Sequence, residues 1–119
     1  MLGHIEYLTD YVNISVCCQK SDGEKEDPSV ISLTIYSVSQ ADGGLSSVAS
    51  RTPTKQDSKE GWFGWSEDIS GYSPGQYVCL VEATVDSIAT SWTDTFFVDD
   101  RYTTLKKIVS WISSKVIGS

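Results

Sequence analysis

Alternation of apolar and polar residues is the feature of this sequence that most constrains its fold. In Tyr11–Gln19, alternate positions carry Val12, Ile14 and Val16, and Val30–Val38 is dense in β-branched and aromatic residues. A period of two is typical of strands with one buried face. These segments therefore predict β-strands, and no helical period appears in the first hundred residues.

Further strand patterns follow in His4–Leu8, Leu45–Ala49, Gly61–Ser66, Gln76–Val85 and Ile88–Val98. The last two predict a hairpin that turns at Asp86-Ser87, and Asp-Gly and Pro-Gly sequences supply turns between the other strands. About seven short strands joined in this way predict one antiparallel β-sandwich over residues 1–100. The residues expected in its core are Ile14, Val16, Leu33, Ile35, Tyr77, Val81, Phe96 and Val98.

The last segment, residues 101–119, has a different period. One stripe of a helix would carry Leu105, Ile108, Val109, Ile112 and Val116. A helix of about four turns is marginal alone in water, so this stripe is expected to pack on another surface. We predict a basic amphipathic C-terminal helix, with the stripe and the flanking Trp111 as partner-binding residues.

Charge is divided unevenly along the chain. Residues 1–100 carry all 16 acidic residues and five basic ones, a formal charge of -11, whereas residues 101–119 carry four basic residues and no acid. An acidic body argues against nucleic-acid binding, because phosphate backbones require clustered Lys and Arg. The basic tail is expected to lie on an acidic body, its own or a neighbour's.

The N-terminal sequence Met1–Glu6 lacks the basic and apolar regions of a signal peptide, and no segment approaches the length of a membrane span. We therefore expect no membrane span, and folding in the cytoplasm unless a longer precursor was trimmed. Three cysteines are too few and too irregular for a disulfide scaffold or a zinc site.

Sequence signals for catalysis are absent. The only histidine is His4, and no nucleophile elbow, P-loop or HExxH pattern occurs. The acidic segment Asp22–Asp27 has carboxylates of the kind that calcium prefers, but Lys20 and Lys25 dilute their charge and the EF-hand register is missing. We predict a solvated loop here, and a non-enzymatic protein without metal or cofactor.

Tryptophans on the GWFGW strand raise the question of a binding surface. Trp62 faces one side of that strand and Trp65 the other, and Gly61 and Gly64 would let another backbone approach closely. The outward side is covered by the tail or a loop, contacts a protein partner, or forms a sugar platform together with Trp92. We predict Trp62 and Trp65 as partner-binding residues, with protein a stronger candidate than sugar.

Two segments at the end of the body carry a family resemblance. Ser73–Thr84, which contains Gly75-Gln76-Tyr77 after a Pro-Gly turn, and Thr95–Asp99, with its closing Phe-Phe-Val, resemble the ending of bacterial and phage immunoglobulin-like domains. Asp10–Val16 and Val30–Ile35 fit the earlier strands of the same pattern. The resemblance covers roughly residues 8–99 and implies an immunoglobulin-like sandwich.

Within this resemblance, Tyr77 and Cys79 stand two residues apart, like the tyrosine corner and second cysteine of immunoglobulin domains. A Cys18–Cys79 bridge between the sheets is then conceivable. The alternative is that both thiols are reduced and buried, which cytosolic folding favours. Val30–Val38 also lacks the tryptophan that immunoglobulin domains pack against their disulfide.

The resemblance implies a structural role. We expect an assembly module that binds neighbouring protein subunits, such as an accessory subunit of the capsid, neck or tail of a phage virion, assembled in the host cytoplasm as a homo-oligomer or with other subunits. The alternative function is an extracellular adhesion or carbohydrate-binding module at the cell surface, using exposed tryptophans.

Overall fold

The computed structural model describes residues 1–99, which form eight β-strands in two antiparallel sheets. The strands are β1 (Leu2–Tyr7), β2 (Tyr11–Cys17), β3 (Val30–Val38), β4 (Leu45–Arg51), β5 (Thr54–Lys55), β6 (Trp62–Asp68), β7 (Gly75–Val85) and β8 (Ile88–Val98). The first sheet has the order β1-β2-β6-β5, and the second has the order β4-β3-β7-β8. The predicted mostly β, two-sheet architecture is confirmed, and the predicted C-terminal helix lies outside the described residues.

Strand bounds follow the sequence pattern to within one or two residues at each end, and one short strand was not predicted. β2 ends at Cys17, two residues earlier than predicted, although the Cys18 amide still donates to the Gly61 carbonyl; the Cys18 carbonyl instead accepts from the Glu26 amide of the following loop. β6 continues to Asp68, two residues beyond the prediction. The two-residue β5 was missed, since it lies in a polar connection and is recognisable only from its pairing with β6.

The β7–β8 hairpin turns where the sequence predicted. Asp86 and Ser87 have φ angles of 50° and 63°, and they connect the paired residues Val85 and Ile88. Two consecutive positive φ angles are typical of the type I′ turn, whose twist matches that of the strands it joins. The turn sets a register in which Tyr77 lies opposite Phe96.

Side chains from both sheets form one core between them. The first sheet contributes Val12, Ile14, Val16 and Phe63, and the second contributes Leu33, Ile35, Ala49, Tyr77, Cys79, Val81 and Phe96. Seven of the eight residues predicted for the core are buried, and the eighth, Val98, is half-buried and packs against it. Burial of this apolar surface is the main stabilising contribution to the fold.

Tyr77 anchors the turn that leads into β7. Its hydroxyl donates to the Ser73 carbonyl at 2.6 Å, and its ring stacks on Phe96 with 5.4 Å between centroids. The Tyr72 ring also packs against Tyr77, with 5.1 Å between centroids and a tilt of 51°. The aromatic residues thus hold one end of the sandwich closed.

Edge strands of the two sheets meet along one side of the sandwich. Gly3 on β1 lies so close to the Trp92 ring on β8 that a Cβ atom at residue 3 would overlap the ring. Nearby, the Phe97 amide donates to the Tyr7 hydroxyl at 3.2 Å. This bond satisfies a backbone group on an edge strand with a side chain of the other sheet.

The cysteines do not form the disulfide that the resemblance made conceivable. All three are free thiols, and Cys18 packs with Ala83 and Val85, whereas Cys79 lies four residues before Ala83 on the same strand. That separation is about 13 Å along β7, and a disulfide requires Cα atoms within about 7 Å. The bridged interpretation is therefore wrong, and burial raises the pKa of the Cys79 thiol to about 11.

Candidate functional site

The outer face of the second sheet is defined by the strand positions that alternate with core residues. On β3 and β7 these positions are Val30, Ser32, Thr34, Tyr36, Val38, Gln76, Val78, Leu80, Glu82 and Thr84. On β4 and β8 they are Leu45, Ser47, Ser50, Ala89, Ser91, Thr93, Thr95 and Phe97. We call this set of residues the β4–β8 face.

Uncharged side chains dominate the β4–β8 face. Within the part of the chain that the structure describes, Glu82 is its single charged member, and the others are aliphatic, aromatic, Ser, Thr or Gln. Ordinary solvated surfaces carry charges at roughly a quarter to a third of their positions. Depletion of charge together with exposed aromatic and aliphatic groups is characteristic of the centre of a protein interface.

Exposed apolar groups lie on two edge strands of the β4–β8 face, at Leu45 and Phe97, and at the opposite end of β3, at Val30. Val30 is 63% exposed, Leu45 56% and Phe97 60%. In the middle of the face, Tyr36 and Leu80 are half-buried by their neighbours in the sheet. Four strands at a spacing of about 4.8 Å and nine residues at about 3.3 Å each give a surface of roughly 19 by 30 Å. Its area, roughly 570 Å², is about seven-tenths of the roughly 800 Å² that each partner buries in a stable interface.

The outer face of the first sheet differs in carrying charged groups beside its exposed apolar ones, Leu2 and Tyr11. His4, Glu6 and Asp68 are exposed on it, and the Ser66 hydroxyl bonds to the Asn13 side chain. The Gln56 side chain crosses it above Gly64. Titratable and hydrogen-bonding groups of this kind are typical of a face in contact with water.

The tryptophans expected to form a platform lie on different surfaces. Trp62 is 36% exposed on the outer face of the first sheet, with the Lys25 ammonium 5.3 Å from its ring centroid. Trp65 faces the interior, is half-buried against the core, and donates its indole N–H to Glu67 at 2.8 Å. Trp92 is half-buried between the sheet edges beside Gly3.

The space beside the two glycines of the GWFGW strand is occupied by other parts of the same chain. A Cβ atom at Gly61, which has a φ angle of 80°, would lie 2.7 Å from the Cys18 carbonyl oxygen. A Cβ atom at Gly64 would lie 3.0 Å from the carbonyl oxygen of Ile14. The close backbone approach that the sequence predicted is therefore made by neighbouring segments of the same chain.

Glu67 is a buried carboxylate that the sequence did not reveal. It is 3% exposed, and it accepts hydrogen bonds from Arg51 Nε at 2.9 Å, Arg51 Nη2 at 3.2 Å, Trp65 Nε1 at 2.8 Å and the Tyr72 hydroxyl at 2.7 Å. Burial by itself raises the pKa of Glu67, but these bonds and the charge of Arg51 outweigh it and hold that pKa below 4.5.

The bonds around Glu67 indicate a structural function for it. Both carboxylate oxygens accept hydrogen bonds, and burial together with the bond to Glu67 raises the pKa of Tyr72. A general base needs an oxygen directed at a substrate proton, whereas both oxygens of Glu67 are directed at groups of the protein itself. The cluster joins β4 of the second sheet to β6 of the first.

Carboxylates of the acidic loop, Asp22–Asp27, also bond to other groups of the same chain. Asp27 accepts hydrogen bonds from the Gly61 amide at 2.8 Å and from Lys55 Nζ at 2.6 Å, which lower its pKa. Lys20 lies 3.5 Å from Glu24 and 3.9 Å from Glu26. Among residues 1–99, no group of three or more His, Cys, Asp or Glu side chains is placed to hold a metal ion.

Two clefts open at the end of the sandwich where β8 finishes. One, of about 660 Å³, continues from the β4–β8 face past Val38, Gln76 and Phe97. The other, of about 570 Å³, is bordered by Tyr7, Leu8 and other residues at the same end. Both reach Asp99, the last described residue.

Of the predicted partner-binding residues, Trp62 and Trp65 are described, and the structure places them on opposite sides of β6. The other six, Leu105, Ile108, Val109, Trp111, Ile112 and Val116, lie outside the described residues. No helix long and apolar enough to cross a membrane is found within residues 1–99.

Sequence reasoning missed the β4–β8 face, although its signal was present. Once the strands are assigned, the positions that alternate with the core of β3, β7 and β8 can be read directly, and they lack Lys and Arg.

Comparison of the chain with protein-family models, curated proteins and solved structures finds no match.

Proposed function

We propose that this protein is a non-enzymatic assembly module and that the β4–β8 face is the surface with which it binds protein subunits. The observation that carries the proposal is the presence of one charged side chain, Glu82, among the outward residues that the structure describes on four strands. Desolvating such a face costs little, because few ionic groups lose their hydration when a partner covers it.

The finer form of the proposal follows the sequence resemblance. The two-sheet architecture and the bond from the Tyr77 hydroxyl to the Ser73 carbonyl agree with an immunoglobulin-like sandwich. On that basis we propose an accessory subunit of a phage virion, assembled from repeated copies or with other subunits. The fold by itself does not select this role, since sandwiches of this kind serve many functions.

Sugar binding has less support from the geometry. Flat sugar rings stack on aromatic side chains that share an exposed surface. Trp62 lies on the outer face of the first sheet, whereas Trp65 and Trp92 are directed inward and half-buried. Trp65 and Trp92 would have to turn outward to form a common platform with Trp62.

A charge placed on the β4–β8 face tests the proposal. Thr93 is an exposed residue of edge strand β8, in register with Leu80 at the middle of the face. The variant Thr93→Arg places a long cation there without disturbing the core. The matched control is His4→Arg, an equally exposed edge-strand position on the outer face of the first sheet.

Sedimentation equilibrium of the full chain across a range of concentrations gives the readout. We expect the wild type and His4→Arg to form species with masses that are multiples of 13.1 kDa, and Thr93→Arg to remain monomeric. Assembly of Thr93→Arg with the affinity of the wild type would contradict the face assignment. A wild type that stays monomeric at every concentration would contradict assembly from repeated copies.

A further inference from the structure

We infer that the occupant of the β4–β8 face is the basic C-terminal segment, residues 101–119, supplied by a neighbouring copy of the chain. The inference rests on the proposed assembly function and names the partner of its surface. It draws on the charges around the face, on the point where the described chain ends, and on the length of the remaining segment.

Charge around the β4–β8 face has one sign in the described structure. Glu82 lies on the face, Asp86 lies in the turn at one end, and Asp42 lies in the β3–β4 loop at the other. Among residues 1–99, the basic residues lie in other places: Lys20, Lys25 and Lys59 are in loops, Lys55 is on β5 of the first sheet, and Arg51 is bonded to Glu67.

Segment 101–119 complements this surface in both of its properties. It carries four basic residues and no acid, and its apolar stripe, centred on Ile108 and Ile112, would meet Leu80 and the other uncharged side chains. Basic residues flanking the stripe would then face the acids at the rim of the face. A second copy of the same face would instead bring Glu82 and Asp86 towards equivalent acids, which is unfavourable.

The length and origin of the segment fit the same surface. Phe97 lies on the β4–β8 face two residues before Asp99, so the described chain ends beside a corner of this face. Nineteen residues with the predicted helical rise of about 1.5 Å each extend about 28 Å, close to the roughly 30 Å length of the face.

Hydrogen–deuterium exchange of the full chain tests the inference. In the assembled wild type, backbone amides of residues 103–117 are expected to exchange at least about tenfold more slowly than in Thr93→Arg, because the substituted face no longer holds the segment. His4→Arg is the control and should match the wild type. A second variant, Lys106→Glu combined with Lys107→Glu, should lose the same protection with the face unchanged.

Sedimentation of the same samples separates this inference from the proposed function. Protection of residues 103–117 that disappears together with assembly in both variants supports the inference. Protection in a monomeric wild type means that the segment covers its own face, and overturns the exchange between copies. Assembly that depends on Thr93 while residues 103–117 exchange freely overturns the inference and leaves the proposed function standing.

Discussion

Arg51 and Glu67 form an ion pair that connects the two sheets of the sandwich. Arg51 ends β4 in the second sheet, Glu67 lies on β6 in the first, and the shortest distance between their side chains is 2.9 Å. The pair lies on the side of the sandwich opposite the contact between Gly3 and Trp92. One side is thus closed by an aromatic contact and the other by a buried, fully hydrogen-bonded charge.

Removing the cation should destabilise the domain. Arg51→Ala leaves the Glu67 carboxylate buried with only Trp65 and Tyr72 as donors. Because Arg51 is itself partly exposed, we expect a loss of unfolding free energy that is smaller than for a fully buried pair but larger than for an isolated surface substitution. Urea denaturation measures it, with the exposed Lys59→Ala as a control that should change stability by no more than about 0.5 kcal/mol. Equal stability of the two variants would argue against a stabilising role for the Arg51–Glu67 ion pair.

The Arg51–Glu67 ion pair also predicts that the unfolding free energy depends on pH. The pKa of Glu67 is lower in the folded protein than its ordinary value of 4.5. A lowered folded-state pKa contributes stability above the unfolded pKa, and that contribution is lost as the pH falls through the folded value. The difference in unfolding free energy between the wild type and Glu67→Gln should therefore narrow below about pH 4.5. A difference that stays constant between pH 7 and pH 3 would refute this account.

Tyr77 offers a pair of substitutions that separates packing from hydrogen bonding. Tyr77→Phe keeps the ring against Phe96 but loses the bond to Ser73, so it should cost about 1 kcal/mol. Tyr77→Ala also removes a large core side chain and should cost about 3–5 kcal/mol. Thermal unfolding followed by circular dichroism ranks the two variants. A Tyr77→Ala protein as stable as the wild type would mean that the strand register is wrong.

Gly3 predicts a steric effect at the meeting of the two sheet edges. Gly3→Ala introduces a Cβ atom where the Trp92 ring lies, and moving that ring should cost about 1–3 kcal/mol. Gly71→Ala is the matched control, because a Cβ atom there meets nothing within 4 Å. Chemical denaturation of both variants should show a loss of stability for Gly3→Ala alone. Similar effects at the two positions would show that β1 does not pack on β8 as described.

Much of the fold follows from the alternation in the sequence, because a strand with one buried face must repeat every two residues. The core positions of β3, β7 and β8 were predictable for this reason. Glu67 was not, although it continues the inward series of Phe63 and Trp65 on β6. A carboxylate at an inward position is normally evidence that a strand has ended, and only the donors brought by Arg51 and Tyr72 make its burial favourable.

The candidate site was less predictable than the core. Outward positions become visible as one surface only when strand order is known, and β4 joins β3 at a register shift between Ile35 and Tyr36 that the sequence does not announce. The sequence instead pointed to the GWFGW strand, because exposed tryptophans are frequent in binding surfaces. Its second tryptophan, Trp65, instead supports the buried Glu67.

Hydroxyl-radical footprinting of the full chain tests the central claim most directly, by measuring which side chains become covered when the protein assembles. Tyr36 lies on the β4–β8 face, and Tyr11 lies exposed on the outer face of the first sheet. If the β4–β8 face binds subunits, oxidation of Tyr36 should slow as concentration rises and assembly proceeds, while the oxidation rate of Tyr11 stays constant. Protection of Tyr11 with an unchanged rate at Tyr36 would contradict the account.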